Sequence, residues 1–475
     1  MILGNGMSLP CNCLFFPTLN QGLKALNLSQ LQFRNENLIG PTYHKLQNSL
    51  SSLSGLCLKQ FICSSKRQEY EVERLFSNLN QVTLQRDSGS LSSAIFLVAG
   101  TTVGAGILAI PAVTQESGFL ASAATCVFCW FYMVITGLLI AEVNVNTMCE
   151  LGSGGVSLVS MAKRTLGNVG VQIACASYVF IHYALLVAYV ARSSDILTNF
   201  LHIPLWASAS LFSAILGSIC YFGSQRFIGA VNGVLVFGII ASFTLLVSVA
   251  FGNLDIEALG KANLEAVPMS IPVIALSFVY QNVVPVLCTN LEGDLSKVRT
   301  AIIAGTSIPL SLFIVWNAVI LGSVSVHEVA GRSLDPLLQL RSSSDAVGPI
   351  IEVFSLFAIA TSYLGFVLGL SDFLADLLEL PAGGNRPLPY VLTLLPPIFL
   401  AVLDPQIFFD ALDFAGSYGV LVLFGILPAA MSWQDRRSEQ VRFRGLVFGG
   451  RITLFLVIAA AVCVIFSQVL HSLSS

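Results

Sequence analysis

One apolar stretch of the sequence carries an unusual concentration of residues that break helices. The stretch GTTVGAG, residues 100–106, lies inside a segment long enough to cross a membrane. Glycine allows a helix to unwind, and a helix that restarts after a break presents free N–H groups to an anion. The pattern predicts a broken helix that binds a carboxylate, the alternative being a small-residue packing face of the GxxxG type. The predicted contacts are Thr101, Thr102, Gly104, Ala105 and Gly106.

A second apolar stretch, SFVYQNVVP at residues 277–285, places polar side chains inside another long apolar segment. Pro272 and Pro285 lie in the same segment, and a proline inside a helix removes a backbone hydrogen bond. Polar residues in a membrane span usually face protein or a water-filled cavity. We therefore expect a second broken helix here. Its candidate binding residues are Phe278, Tyr280, Gln281 and Asn282.

Ionisable side chains inside apolar segments are costly and point to function. A group that gains and releases a proton there can couple transport to a proton gradient. The candidates are Glu142, His182, Asp410 and Asp413. Asp410 and Asp413 are three residues apart and so share a helix face. For His182 the alternative is an ordinary hydrogen bond within the helix bundle.

Other classes of function fit the sequence poorly. Intramembrane metal catalysis needs paired motifs of His, Asp or Glu ligands, and DFLAD at residues 372–376 is only half of an aspartate-rich site. Cys126 and Cys129 lie within a span and are interpreted as small apolar residues. A net charge of −3 gives no reason to expect a nucleic-acid partner. We expect no metal and no cofactor, and a passive channel would not need two broken helices.

The elements that position these residues are membrane-spanning helices. The chain is 55% hydrophobic and only 10% charged, whereas soluble domains carry roughly 25% charged residues. Apolar segments of about 20 residues, the length that crosses a bilayer, recur along the chain. Eleven are predicted: 91–117, 119–145, 169–197, 205–223, 227–251, 269–289, 299–323, 347–375, 388–403, 406–430 and 445–470.

The two interrupted segments are the first and the sixth, five segments apart. Transporters built from inverted repeats carry broken helices at corresponding positions of their two halves. We therefore predict an all-α polytopic membrane protein with a LeuT-like 5+5 inverted repeat, broken helices 1 and 6, and an eleventh transmembrane helix. The transporter domain is predicted to cover residues 89–470.

Charge in the loops predicts the orientation, because lysine and arginine concentrate on the cytoplasmic side. The richer side, called the basic side below, holds Lys163, Arg164, Arg226, Lys297, Arg299, Arg386, Arg436, Arg437, Arg442 and Arg444. The other side holds Arg192, Lys261, Arg332 and Arg341. Residues 1–65 are hydroxylated, weakly basic and poor in acid, as transit peptides are. Residues 66–88 are interpreted as the mature N-terminal tail, and a disordered cytosolic tail is the alternative for the whole leader.

Several long motifs resemble the tryptophan/tyrosine permease family, in the same order along the chain from about residue 90 to 470. They are GTTVGAGILAIP, SFVYQNVVP, GTSIPLSLFIVWNAVILG, FSLFAIATSYLGFVLGLSDFLADLL and LLPPIFLAVLDPQIFFDALDFAGSYG. The resemblance implies eleven spans, a LeuT-like core and proton-coupled symport of tyrosine or tryptophan. The segment 6 pattern departs from the bacterial one, because Val279 and Gln281 stand where a glycine and a histidine are usual.

The resemblance leaves the coupling ion and the substrate range open. Ala358, Thr361 and Ser362 are similar to the residues that bind sodium in some LeuT-like proteins, so a sodium-coupled carrier or a uniporter is the alternative to proton symport. A membrane-embedded enzyme is a remote alternative. Plant relatives of the family lie in plastids, so the leader implies a multi-pass protein of the plastid inner envelope, embedded in the lipid bilayer with the mature N-terminus in the stroma.

Overall fold

The computed structural model describes residues 90–104, 106–151, 156–250, 255–323, 328–329, 332–333, 347–378, 387–437 and 446–474. The predicted transit peptide, residues 1–65, and the predicted tail, residues 66–88, lie outside the described residues, as does Ala105. Within these ranges the protein is helical, apart from a small antiparallel hairpin of β1 (Glu328–Val329) and β2 (Arg332–Ser333).

The helices of the first half are α1 (Leu91–Thr102), α2 (Gly106–Thr114), α3 (Gly118–Leu151), α4 (Leu158–Leu201), α5 (Leu205–Phe222) and α6 (Gln225–Ala250). Those of the second half are α7 (Ile256–Leu259), α8 (Val267–Ser277), α9 (Val284–Asn290), α10 (Leu295–Ser323), α11 (Val347–Leu377), α12 (Pro387–Leu403), α13 (Phe408–Phe414), α14 (Leu427–Asp435) and α15 (Gly450–Ser474). A π-helical segment, Ala415–Ile426, joins α13 to α14.

Nine helical stretches of the described chain are long and apolar enough to cross a membrane. The pair α1 and α2 meets the same criterion when taken together, with a bend of 53° between the two helices. Helix α12, which corresponds to the predicted segment 388–403, has 17 residues and is shorter than a usual span. The protein is therefore a polytopic, helical membrane protein, as predicted.

Helix α4 is longer than the predicted span of residues 169–197. Its 44 residues begin after Ser157, whose side chain accepts a hydrogen bond from the Ser160 amide. They end at Leu201, before His202 in the left-handed conformation. Gly167, with φ of 67°, kinks the helix near its start. Only glycine adopts this backbone conformation readily, so the residues before Gly167 turn away from the direction of the span.

Close packing of α1 on α10 holds the first broken segment in place. A side chain at Gly305 of α10 would put its Cβ 2.7 Å from the Val98 Cβ and 2.9 Å from the Ile95 carbonyl oxygen. The absence of a side chain at this glycine lets the two backbones approach, as is common between membrane helices.

Candidate functional site

The first predicted interruption is present in the structure. Helix α1 ends at Thr102, residues 103 and 104 are not helical, and α2 begins at Gly106. The Ile107 amide donates only a long hydrogen bond of 3.3 Å to the Gly104 carbonyl. The first turn of α2 thus points its N–H groups, and the positive end of its dipole, into the break.

The two threonines of this break use their hydroxyl protons locally. Thr101 donates to the Leu97 carbonyl and Thr102 to the Val98 carbonyl, each at 2.8 Å. Such bonds back to the preceding helical turn are usual for threonine. Each hydroxyl oxygen still has the capacity to accept a hydrogen bond, so these side chains can receive a donor but have no proton left to offer a carboxylate.

The second predicted interruption is also present, and it touches the first. Helix α8 ends at Ser277, residues 278–280 are not helical, and a 3₁₀ turn, Gln281–Val283, leads into α9. A Cβ added at Gly106 would lie 2.5 Å from the Ser277 Oγ and 2.9 Å from its Cα. The start of α2 and the end of α8 therefore lie in direct contact, and the two breaks are adjacent.

The polar and aromatic residues of the second break mostly face other helices. The Tyr280 hydroxyl donates to the Met133 carbonyl on α3 at 3.1 Å, in the space left by Gly137. Gln281 donates to the same carbonyl at 3.3 Å and accepts from the Tyr280 amide at 3.0 Å. The Phe278 ring packs on Phe313, with 5.1 Å between ring centroids.

These three side chains are buried, whereas Asn282 is exposed. Phe278, Tyr280 and Gln281 are thus packed into the protein beside the second break. Tyr280 and Gln281 are held there by hydrogen bonds to α3. Asn282 is the polar member of the predicted set that faces outward from the packed protein.

The candidate ion-binding residues lie next to the first break. A Cβ at Gly104 would be 2.7 Å from the Ser362 Oγ. Thr361 and Ser362 donate to the Ala358 carbonyl at 2.9 Å and 3.2 Å, and the Tyr189 hydroxyl is hydrogen-bonded to Ser362. The Ser362 hydroxyl of α11 therefore lies beside the unwound part of segment 1.

The predicted proton-binding residues occupy different environments. Glu142 is 1% exposed and forms a two-pronged ion pair with Arg436, with both N–O distances at 2.9 Å. His182 is buried in the middle of α4 and packs against Phe366 of α11. Asp410 is exposed and Asp413 is partly buried, both on α13. Of these residues, only Glu142 has a cation directly paired with it in the described hydrogen bonds.

Sequence reasoning missed most of the surroundings of Glu142. Asp435 binds Arg164 at 2.6 Å and accepts a hydrogen bond from Asn146 at 2.9 Å. We call this set the basic-side ion-pair cluster: Glu142, Asn146, Arg164, Asp435 and Arg436. Asp435 and Arg436 follow directly after a long apolar segment, and this position at the end of a span could have marked them as candidates in the sequence.

A further carboxylate was also overlooked. Glu352 lies five residues into α11 and is only partly exposed. Like Glu142, it is an ionisable residue inside an apolar segment, and the same criterion could have identified it.

Comparison with known proteins adds independent information. The model of the tryptophan/tyrosine permease family matches residues 87–468. The chain is 28% identical to tyrosine-specific transport system 1 of Haemophilus influenzae over 385 residues, which cover 78% of this chain and 94% of that protein. It is 30% identical to tyrosine-specific transport system 2 of the same organism over 390 residues, covering 78% and 93%. It is 28% identical to the tryptophan-specific transport protein of Shigella flexneri over 415 residues, covering 83% and 97%.

Proposed function

The chain belongs to the tryptophan/tyrosine permease family, and from this premise we propose that it is a secondary active transporter of aromatic amino acids, chiefly tyrosine and tryptophan. The family is one of permeases, so the protein is a transporter and not an enzyme. The observation that carries the substrate class is the match over residues 87–468, together with similarity to tyrosine- and tryptophan-specific transport proteins. The touching breaks of segments 1 and 6 supply a site for an amino acid.

The amino acid binds, in this proposal, with its carboxylate on the N–H groups between Thr102 and Gly106. Its amine meets backbone carbonyls of the two breaks, where the ends of α1 and α8 leave acceptors unpaired. Its ring lies against the side formed by Phe278 and Tyr280, since aromatic rings pack well with offset faces. The contact between Gly106 and Ser277 supports this assignment because it brings both breaks to one ligand.

We also propose the LeuT-like 5+5 inverted repeat with eleven spans. Support comes from the positions of the interruptions, five predicted segments apart, and from the way α2 packs on α8. Broken helices at corresponding places of two repeats are typical of such transporters.

Coupling to protons is the proposed energy source, with Glu142, His182, Asp410 and Asp413 as the candidate carriers. The ion pair with Arg436 means that a proton on Glu142 has to displace a guanidinium. The alternative is sodium coupling through Ala358, Thr361 and Ser362. It is favoured by one observation, the approach of the Ser362 hydroxyl to Gly104, since sodium is bound by oxygen ligands of this kind.

Purified protein in liposomes separates these possibilities. Uptake of labelled tyrosine, tryptophan and phenylalanine is measured under an imposed proton gradient, an imposed sodium gradient or neither. We expect saturable uptake of tyrosine or tryptophan that rises above equilibrium only with the proton gradient. Accumulation with sodium alone supports the alternative, and no saturable uptake of any aromatic amino acid refutes the substrate class.

For location, we propose the inner envelope membrane of a plastid, with residues 1–65 as a transit peptide and the mature N-terminus in the stroma. Support comes from the acid-poor, hydroxylated leader and from the family match, which begins only at residue 87. Residues 1–90 fused to a fluorescent protein should be imported by chloroplasts and shortened by about 65 residues. A full-length leader on a protein of the plasma membrane would contradict this location but not the transport function.

A further inference from the structure

We propose that His182 is the proton-binding residue of this transporter and that a column of polar side chains between α4 and α11 connects it to the basic side. The polar column consists of Ser362, Tyr189, His182, Tyr178 and Asp372. The inference rests on the proposed proton-coupled transport. It selects His182 among the candidate proton-binding residues. It also adds Asp372 and Tyr178, to which the sequence assigned no role, as the residues through which protons enter from the basic side.

The hydrogen bonding of His182 fixes which ring nitrogen takes up a proton. Its Nδ1 lies 2.8 Å from the carbonyl oxygen of Tyr178, one helical turn earlier. A carbonyl oxygen only accepts, so Nδ1 carries the hydrogen and donates it. In the neutral ring the other nitrogen, Nε2, is then the acceptor. A proton that enters the column binds at Nε2.

The Nε2 atom and the Tyr178 hydroxyl face the same gap beside α11. A Cβ added at Gly369 would lie 3.3 Å from the His182 Nε2 and 3.1 Å from the Tyr178 hydroxyl oxygen. The two rings pack against each other with 3.9 Å between their centroids and their planes tilted by 31°. Gly369 therefore places no side chain between the two polar atoms, which a bridging water molecule would join.

Toward the basic side, the column ends at a carboxylate. Asp372 lies three residues after Gly369, on the same face of α11. It is exposed, and it is within electrostatic reach of the hydroxyls of Tyr178 and Tyr390. An exposed carboxylate can collect and release protons, and the tyrosine hydroxyl stands between it and His182.

Toward the centre of the protein, the column reaches the first break. The Phe366 ring separates His182 from Tyr189, with centroid distances of 4.9 Å and 5.8 Å. Tyr189 is hydrogen-bonded to Ser362, whose Oγ faces Gly104. His182 and Tyr189 thus contact the same ring, and through Phe366, Tyr189 and Ser362 the contacts lead from His182 to the proposed substrate site.

Several charged groups outside the column also pack against α4. They are Arg164, Asp435, Arg192, Asp195, Asp410 and Asp413. On α4 itself the nearer of the two arginines, Arg192, is ten residues away, or about 15 Å along the helix at 1.5 Å per residue. From α5 and α12, Cys220, Tyr221 and Tyr390 meet near the Asp372 end of the column. Next to His182 on α4 the titratable residues are Tyr178, a member of the column, and Tyr183, whose hydroxyl bonds to the Leu392 carbonyl instead. On α11, Asp376 lies within electrostatic reach of Asp372.

The test uses the full-length protein in liposomes that contain a pH-sensitive dye. Labelled tyrosine uptake, dye-reported proton entry and counterflow exchange are measured on the same vesicles. The variants are His182→Gln, Tyr178→Phe, Asp372→Asn and Gly369→Ala, and the last adds a methyl group to the gap without removing a titratable group. Tyr183→Phe is the matched control, because the Tyr183 hydroxyl bonds to the Leu392 carbonyl on α12 instead.

A pH difference of one unit supports up to about tenfold accumulation for one proton per substrate. His182→Gln should lower the final tyrosine concentration inside the vesicles to the concentration outside, and it should abolish tyrosine-driven proton entry. Tyr178→Phe, Asp372→Asn and Gly369→Ala should slow proton entry by about tenfold or more relative to counterflow, yet reach the wild-type plateau, since a path affects rate and not equilibrium. Tyr183→Phe should behave as wild type.

The inference is overturned if His182→Gln still accumulates tyrosine to the wild-type plateau, or if Tyr183→Phe slows proton entry as much as Tyr178→Phe. Should His182→Gln fail to fold, wild-type rates of proton entry in both Tyr178→Phe and Gly369→Ala overturn it instead. Wild-type protein that takes up no tyrosine, or that is driven by sodium, would show that the proposed function itself is wrong.

Discussion

Replacement of one member of the Glu142–Arg436 ion pair leaves the other charge in a nearly water-free part of the protein. The Glu142 side chain is 1% exposed and the Arg436 side chain 11%. Both oxygens of the carboxylate are engaged, each at 2.9 Å from a guanidinium nitrogen. We predict that Arg436→Met and Glu142→Gln are both strongly destabilising.

The structure also predicts their order. Removal of one partner of a buried ion pair costs about 3–5 kcal/mol, because the remaining charge is uncompensated. Arg436→Met leaves the more buried charge, that of Glu142, without a partner, and this loss of stability should be about 5 kcal/mol. Glu142→Gln leaves an arginine that retains a 3.4 Å hydrogen bond to the Gly450 carbonyl and some exposure to water, so about 3 kcal/mol is expected. The double variant Glu142→Met/Arg436→Met removes both charges and should cost less than either single change.

Equilibrium unfolding in detergent micelles measures these free energies, with Arg437→Met as the matched control. Arg437 is exposed and lies over the Trp433 ring, so its loss should change the free energy of unfolding by about 0.5 kcal/mol or less. A double variant as unstable as the sum of the single changes would refute the reasoning, because it would show that the two charges do not depend on each other.

Three further predictions concern the break, its anchor and a loop. Gly106→Ala should weaken tyrosine binding, because the new Cβ would lie 2.5 Å from the Ser277 Oγ. Gly100→Ala should bind tyrosine as wild type, because its Cβ would have no neighbouring atom within 4 Å. Equal affinities of the two variants in a binding titration would contradict the contact between the breaks. Tyr280→Phe removes the bond to the Met133 carbonyl and should lower the free energy of unfolding by about 1 kcal/mol, and no change would mean that this bond is not formed. Burial disfavours the charged form of Asp294, but hydrogen bonds from the Lys297 and Ser296 amides and the Lys297 ammonium outweigh it and hold the pKa of its carboxyl below the usual range. Asp294→Ala should therefore cost about 1 kcal/mol at pH 7 as a lost helix cap, and the difference from wild type should shrink only as the pH falls below about 4; a difference that grows in acid would have the wrong sign.

Local chemistry explains why the two breaks were predictable from the sequence. Clustered glycines at residues 100–106, and Pro285 next to polar residues 280–282, weaken a helix locally, although a proline alone does not decide, since Pro309 lies inside the continuous helix α10. The helical membrane fold followed equally from segment length and composition. The positions of the breaks therefore needed no knowledge of tertiary structure.

The side-chain partners, in contrast, depend on helices that are distant in the sequence. Tyr280 is aromatic and polar, yet nothing near it in the sequence shows that its hydroxyl reaches Met133, 147 residues away. The π-helical segment Ala415–Ile426 was predicted only as part of an apolar span, because segment length and composition do not specify its hydrogen-bond pattern. His182 was selected by its type and its place inside a span, and its neighbour Tyr178, four residues earlier, follows from helical spacing. Gly369 became visible as a neighbour only once α4 and α11 were packed together.

The basic-side ion-pair cluster also constrains how the protein is made. Glu142 and Arg436 are 294 residues apart, and Asn146 and Asp435 are 289 apart. At roughly 5–20 residues per second, a ribosome needs about 15–60 s to progress from Glu142 to Arg436. During that time the nascent α3 holds a carboxylate whose final partner does not yet exist. The early helices are thus made before α14, and a chain that stops before Arg436 lacks the cation that pairs with the Glu142 carboxylate.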